Sequence, residues 1–229
     1  MKKVAMIPIK LNNERIPGKN LKCFSDGIPL INLIQNACLH ADVDKVYVYC
    51  SSEGIKEYLV SGVEFLKRPQ YLDSDSSNCN DIIREFIKQV DSDIYVVSHA
   101  TGPFTRSLSI NTCIEKVETE GYDSAFLAKR IQEFLWSEGK TINFDIQNFP
   151  RTQDLTPVYS ETPGAYVFLK ETFLKYDRRV GINPYIHEVS EIESRDIDYP
   201  EDFLIADAIY TEIIKSMDSS YWGDKYEKR

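Results

Sequence analysis

Among the five cysteines, Cys23, Cys38, Cys50, Cys79 and Cys113, there is no CxxC pair and no zinc-ligand spacing, which argues against a structural zinc site. Several lie in apolar segments, where a small buried thiol is the expected role. The three histidines, His40, His99 and His187, form no HxxxH or HxH pair, so a histidine-based metal site is not expected. No apolar run approaches the length that spans a bilayer, and the N-terminus carries no signal-peptide-like stretch. The chain is therefore expected in the cytoplasm, with no membrane partner. Cations are outnumbered, 27 Lys and Arg against 36 Asp and Glu for a formal charge of -9, which disfavours nonspecific nucleic-acid binding. Repeats and low-complexity tracts are absent too. What is present is ordinary for a globular chain with a sizeable core: 229 residues, 42% hydrophobic and 28% charged. That length suits one domain, or one domain with an excursion.

Strand and helix patterns alternate through the first half. Residues 4–9, 45–50, 63–66 and 94–98 read as buried strands. Between them, residues 28–40 place Leu30, Ile31, Ile34, Ala37 and Cys38 at helical spacing, and 52–61 reads as a short helix. Asn78 with Asp81 opens a helix through residue 90 with a capping-box-like start, and 109–120 is the next helix. Strands separated by helical patterns of this length imply βαβ units and a mainly parallel sheet. From about residue 125 the rhythm breaks. Residues 130–160 scatter Phe134, Trp136, Phe144 and Phe149 among turn formers, with no period to bury them within one chain. A hairpin extension, a lid or a dimerisation arm would fit that insertion. Residues 164–168 read as a strand rejoining the sheet. The last helix is expected over 200–217, with Asp198 as its N-cap and Glu201 as the partner three residues on. The tail beyond 217 is charged and solvated in this reading, although Tyr221 and Trp222 are able to dock.

The strand at 4–9 ends in a loop reading IPIKLNNERIPGKN, which carries Lys10, Arg15 and Lys19, with Lys22 just beyond, against one acid, Glu14. Local positive charge on an acidic chain points to an anionic ligand. Open α/β sheets bind ligands at the carboxyl ends of their strands, and the Pro17-Gly18 turn would bring backbone N–H groups and Lys19 to a phosphate. The same residues also read as a solvated basic loop before a helix. Asp196-Ile197-Asp198, if extended, puts two carboxylates on one face. Mg²⁺ takes one or two carboxylates plus substrate phosphates, while Asp198 equally suits the cap. The segment from His99 to Arg106, with Thr101 and Pro103, points to the same sheet edge as the Lys10 loop and reads as a ligand contact or as a plain turn. Arg68, after the 63–66 strand, is able to fork onto a base or a phosphate or to sit in solvent. Arg151 is a weaker candidate of the same kind.

Six segments in order carry a resemblance. The first loop is similar to the IPAR-x-GS-x-x-(I/L)PGKN signature of the acylneuraminate and 3-deoxy-manno-octulosonate cytidylyltransferases. Arg68-Pro69 with Leu72 and Asp75 resembles their RP-x-x-L-x-x-D stretch, and the 99–104 segment their QPTSPLR stretch. Pro150-Arg151-Thr152-Gln153, Pro163-Gly164-Ala165-Tyr166 and Asp196-Ile197-Asp198 with Pro200, Glu201 and Asp202 resemble PR-x-Q, NGA-x-Y and DIDTPED. The resemblance spans about residues 4–210. It implies a single three-layer nucleotide-binding α/β domain over 1–229, with a mainly parallel sheet and a small dimerisation arm at about 130–160. It also implies an Mg²⁺-dependent enzyme that joins CMP from CTP to a 2-keto sugar acid, releases pyrophosphate and works as a homodimer. Carried over by motif, Lys10, Asn12, Arg15, Lys19, Asn20 and Arg68 would bind the nucleotide. Lys19, Arg15 and Asp198 would be catalytic, and Asp196 and Asp198 would hold the metal. His99, Thr101, Arg151 and Gly164 would lie toward the sugar.

The departures fall unevenly. Lys10 stands for an arginine, keeping charge but losing the bidentate fork. Asn12, Asn13 and Glu14 replace a Gly/Ser/Lys-rich turn, and Glu14 would put an acid close to the phosphates. On the sugar side His99 replaces a glutamine and Pro163 an asparagine, which removes donors for hydroxyl and N-acyl groups. Ordinary N-acetylneuraminate is therefore expected to be a poor acceptor beside another 2-keto sugar acid. Two alternatives remain at this stage. One is a nucleotide-sugar glycosyltransferase, because Asp196-Ile197-Asp198 is formally a DxD triplet. The other is a non-catalytic nucleotide-binding relative.

Overall fold

The computed structural model describes residues 1–13, 15–217 and 221. Glu14, and the part of the tail that includes Trp222, lie outside the described residues. β1 (Lys3–Ile9), β2 (Lys45–Cys50), β3 (Val63–Lys67) and β4 (Ile94–Val97) run parallel. β8 (Val158–Leu169) is antiparallel to both β4 and β5 (Ser124–Ile131), and β9 (Pro184–Val189) closes the edge parallel to β5. The sheet order is β3-β2-β1-β4-β8-β5-β9.

Alternation along β1 explains the layers. Ala5, Ile7 and Ile9 point to one face, where Ile31, Ile34, Ala37 and Cys38 of α1 (Leu30–Leu39) and Ile110, Cys113 and Ile114 of α3 (Ser107–Thr119) pack. Val4 and Met6 point to the other, against Ile83 and Phe86 of α2 (Cys79–Gln89) and Phe173 of α4 (Lys170–Tyr176). A strand buried on both faces reads as a continuous apolar run, which is why the run at 4–9 was legible. Burial of the thiols follows: Cys38, Cys50 and Cys113 are buried, whereas Cys23 is exposed. Desolvation pushes the Cys38 thiol up to about 12.

A third apolar cluster positions the site. Ile16 and Phe24 of the first loop, Leu30 and Leu33 of α1, Phe104 and Ile197 meet Phe203, Ala206, Tyr210 and Ile214. These last residues belong to α5 (Pro200–Ile209) and the π-turn that continues it, Tyr210–Ile214. Phe24 stacks on both Phe203, at 5.3 Å, and Tyr210, at 4.8 Å. The loop after β1 and the segment before α5, nearly 180 residues apart in sequence, are thereby clamped together. Tyr221 joins this cluster, donating its hydroxyl to the Phe104 carbonyl at 2.8 Å.

Two expectations change here. The N-cap of α5 is Tyr199, not Asp198: the Asp202 carboxylate accepts the Asp198 and Tyr199 N–H groups at 3.0 and 2.7 Å. Asp202 takes the capping work that the DxD spacing offered to Asp198, and this leaves the Asp198 carboxylate free of the helix end. The second change concerns Phe134, while residues 130–160 themselves take one of the expected forms, a hairpin extension. β5 continues to Ile131 and β8 begins at Val158 as its antiparallel neighbour, so no crossover helix is needed. Between them β6 (Trp136–Ser137) and β7 (Lys140–Thr141) form a hairpin whose turn residues, Glu138 and Gly139, both take positive φ, as a tight two-residue turn demands. Phe134 is not free in solvent. It packs at 4.9 Å on Phe144 and 4.6 Å on Phe149, whereas Trp136 and Phe149 remain 51% and 61% exposed.

Candidate functional site

β2 and β4 flank β1, so the chain leaves β1 toward one side and returns on the other. Such a switch point opens a crevice at the strands' carboxyl ends. Lys10 follows β1 directly, and the 98–105 loop follows β4, so the two loops line that crevice. A pocket of about 220 Å³ lies there, lined by Lys10, Asn12, Asn13, Arg15, Ile16, Lys19, Asp75 and Asp198. A second pocket of about 390 Å³ continues from it past Asp73, Ser74 and Asp75.

Within the crevice the cations are held by acids. Lys10 Nζ donates to Asp75 at 2.8 Å, and Arg15 Nη1 lies 2.8 Å from Asp198 Oδ2. Lys19, only 7% exposed, donates to the Ile197 carbonyl at 2.6 Å and to Asp198 Oδ1 at 3.3 Å. Gly18, at φ 67°, supplies the left-handed turn that presents Lys19. The backbone N–H groups of Lys19 and Leu21 are spent inside that turn, on Ile16 and Gly18 carbonyls, so side chains rather than main-chain donors face the crevice from these two residues. Lys22 is turned away, its ammonium 4.1 Å from the Phe203 ring centre.

The remaining candidates divide. Asn20 is buried and braces the loop, donating from Nδ2 to the Lys10 carbonyl at 2.9 Å. Arg68 is only 1% exposed, is paired with Asp73, and leaves its Nε buried without a partner among the described residues. It lines neither pocket. Thr101 receives the Ile197 N–H on its carbonyl at 3.0 Å, and its side chain bonds Asp196. Asp196 has an open surface yet stands against dense protein. That desolvation, with the charge of Asp198 beside it, holds its carboxyl above the usual carboxylate range despite the Thr101 bond. Gly164 is a packing position: a Cβ there would come within 2.5 Å of Thr105 Oγ1. Arg151 lies away in the arm, 73% exposed and forked onto Asp154 at 2.7 and 3.1 Å.

The His99 backbone N–H, after β4, donates to the Pro163 carbonyl at 3.1 Å. The His99 ring meets Tyr166 edge-on at 6.5 Å. Burial, then the nearby charge of Arg179, push its pKa down to about 4, so it is a neutral ring at pH 7. Arg179 was missed from the sequence, as were Asp73 and Asn13. Asn13 lines both pockets and carries a buried Oδ1 without a partner among the described residues.

Fold and crevice together define an α/β protein of the nucleotide-binding type. The chain belongs to the cytidylyltransferase family, whose model matches residues 4–216. It is 29% identical over 214 residues to N-acylneuraminate cytidylyltransferase A of Danio rerio, covering 89% of this chain and 49% of that protein. It is 24% identical to the N-acylneuraminate cytidylyltransferase of Streptococcus agalactiae, covering 89% and 52%. The chain thus spans about half the length of these relatives. Among solved structures, a CMP:2-keto-3-deoxy-manno-octonic acid synthetase complexed with CTP superposes with a TM-score of 0.72 at 18% identity, covering 93% of this chain and 99% of that one. A 4-diphosphocytidyl-2C-methyl-D-erythritol synthase gives 0.66 at 12%, covering 91% and 99%.

Proposed function

We propose that this protein transfers CMP from CTP to the hydroxyl of a 2-keto sugar acid and releases pyrophosphate, in the cytoplasm and for surface-glycan synthesis. The observation that carries this reading is the convergence of Lys10, Arg15 and Lys19 with Asp198 at the switch point of the sheet. In such a transfer the acceptor oxygen forms a bond to the α-phosphorus in line with the departing pyrophosphate. Positioning and charge neutralisation carry most of the catalysis. Lys19, desolvated and aimed by the Ile197 carbonyl, suits a developing negative charge. Lys10 and Arg15 exchange their present carboxylate partners for phosphate oxygens, which accept charge-assisted bonds of the same kind.

Mg²⁺ is the expected cofactor. Among the described residues no group of three or more His, Cys, Asp or Glu forms a cage, but Mg²⁺ needs only one or two carboxylates when phosphates supply the rest. Asp196 and Asp198, adjacent enough that one carboxylate raises the other, fit that donor set. Bound there, the ion would polarise the phosphoryl oxygens. Thr101 holds Asp196 in place, and Asp202 frees Asp198 for the role.

The test is pyrophosphate release from CTP with a panel of sugar acids: N-acetylneuraminate, 3-deoxy-manno-octulosonate and a di-N-acylated deoxy nonulosonate. Turnover with none of them, under any divalent cation, would remove the reading in favour of nucleotide binding alone. Sugar release from a nucleotide sugar would favour the glycosyltransferase instead. Pro163 and the neutral His99 leave few donors for an N-acyl group, so N-acetylneuraminate should trail the best acceptor by a few kcal/mol at most. We also infer a homodimer. Trp136, Ile142, Ile146, Phe149 and Tyr159 are exposed in or beside the arm, and a two-fold pair is the commonest way to cover such an element. Light scattering should return twice 26.4 kDa. A fully active monomer at micromolar concentration would contradict it.

A further inference from the structure

Arg179 stands out because its guanidinium is half-buried and poorly served. Its side chain is 23% exposed, and its Cζ lies 3.5 Å from the Tyr166 ring centre. Nη1 donates to Cys79 Sγ at 3.1 Å, a weak acceptor. Glu161 lies 3.7 Å from Nη2, beyond hydrogen-bond length, because its carboxylate accepts the Tyr166 hydroxyl at 2.8 Å. A guanidinium presents five donors, so most of this fork has no strong acceptor among the described residues.

The loop that carries it is pinned. Asp177 takes a left-handed conformation at the end of α4, and its carboxylate is forked by Arg84 of α2 at 2.7 to 2.9 Å. Two residues on, Arg179 lines a pocket of about 320 Å³ with Asn78, Cys79, Asn80, Glu161, Arg178 and Val180. That volume is enough for a small molecule. Its lining offers two cations, one carboxylate and two amides.

The pocket adjoins the phosphate crevice. Asp75 lines the crevice and Asn78 lines this pocket. Three residues of chain reach at most about 11 Å, so the linings of the two pockets come within that distance of each other. The ring of His99, after β4, shares Tyr166 with Arg179.

We propose that Arg179 is the specificity-determining group for the acceptor, binding the sugar acid's carboxylate from the pocket beside α2, with Glu161, Asn78 and Asn80 serving its hydroxyls. This rests on the cytidylyl-transfer reading above. A planar fork against an aromatic face suits bidentate carboxylate recognition, and it explains how a site with donors lost at positions 99 and 163 still selects an acid.

The test compares the best acceptor of the sugar-acid panel with its methyl ester, in wild type, Arg179→Ala and Arg179→Lys. A charge-assisted hydrogen bond of this kind corresponds to roughly 10- to 100-fold. Arg179→Ala should raise the acceptor KM by that factor, leave the CTP KM within about twofold, and erase most of the preference for acid over ester. Arg179→Lys keeps the charge without the fork and should fall between, and it decides the matter if the alanine variant fails to fold. An unchanged acceptor KM together with an unchanged acid-to-ester ratio would overturn the proposal while leaving cytidylyl transfer intact. If wild type turns over no acid of the panel, the reading itself fails. In that event saturation-transfer NMR with the free acids still separates the two: binding to wild type lost in Arg179→Ala upholds the pocket, and equal or absent binding rejects it.

Discussion

The crevice and the pocket beside α2 handle charge in opposite ways. In the crevice proposed for the phosphates each cation already has a carboxylate: Lys10 has Asp75, and Arg15 and Lys19 share Asp198. In the pocket proposed for the acceptor, Arg179 has a thiol, a ring face and a distant Glu161. A loop rich in like charges repels itself without internal counter-ions, so the first arrangement keeps the loop folded and lets an incoming polyanion displace the acids. A single cation on an aromatic platform needs no such partner, because the ring face itself supplies part of the attraction. Exchange of partners is thus the expected mode in the crevice, and capture by a preformed fork in the pocket.

Asp198→Asn would break that contrast most severely. It removes the charge that Arg15 and Lys19 share and one of the two proposed metal ligands, and metal-assisted charge stabilisation is worth several kcal/mol, roughly 10³-fold or more in rate. The fold should stand, because Asp202 rather than Asp198 caps α5. Turnover should vanish while the thermal midpoint moves little. A variant that keeps its rate would leave Asp198 a mere counter-ion to the loop.

Lys19→Ala comes next, at about 10²-fold to 10³-fold in kcat/KM for CTP, the usual loss of one preorganised charge-stabilising group. Combined with Arg15→Ala the effects should fall well short of additive, since both residues lean on Asp198. Full additivity, read from kinetics of the two single variants and the double, would mean that they touch separate parts of the nucleotide. Unchanged CTP kinetics in both singles would remove the loop from the phosphate site.

What was legible in the sequence follows from range. The parallel strands and α1 to α3 announce themselves through continuous apolar runs and helical spacing, both local properties. The Lys10 loop is likewise one contiguous stretch. β5 was missed because its buried run, Ser124 to Ala128, ends in Lys129 and Arg130 and is followed by an arm rather than a helix. β9 was missed because its burial alternates weakly, with only Val189 fully inside. The pocket proposed for the acceptor is assembled from Cys79 of α2, Glu161 and Tyr166 of β8, and Arg179 after α4, three places far apart in sequence, so only the folded chain brings them together. The cap at α5 was misread because Asp198 and Glu201 satisfy the spacing rule as well as Tyr199 and Asp202 do. Packing of Ile197 into the third cluster selects the second register.

His99 offers a test beside the proposed acceptor pocket that needs no substrate. Its folded pKa of about 4 lies below the ordinary value of 6.5, because of burial and then Arg179. Between those values the unfolded chain binds the proton and the folded chain does not, so stability rises with pH across the window. The contribution is complete above about pH 6.5 and is lost as pH falls toward 4, amounting to at most about 3 kcal/mol. His99→Gln should flatten that part of the profile. The difference in thermal midpoint between variant and wild type, followed from pH 7 to 4.5, should narrow or reverse as the solution is acidified. A difference constant with pH would show the ring exposed to water.

Asp202→Ala is the smallest effect and sharpens the division of labour beside the proposed phosphate crevice. Removing an N-terminal capping carboxylate costs about 1 kcal/mol, since one or two helix-end donors lose their acceptor. Here the donors are the N–H groups of Asp198 and Tyr199, so the loss also loosens the backbone that carries the Asp198 carboxylate. The expected outcome is a modest fall in unfolding free energy with a several-fold drop in kcat, and with CTP binding little changed. Calorimetric unfolding and steady-state kinetics on the same preparation separate the two. A stability loss without any change in kcat would mean that the third apolar cluster alone holds Asp198 in register. A large kcat loss without destabilisation would move Asp202 from a cap to a part of the reacting site.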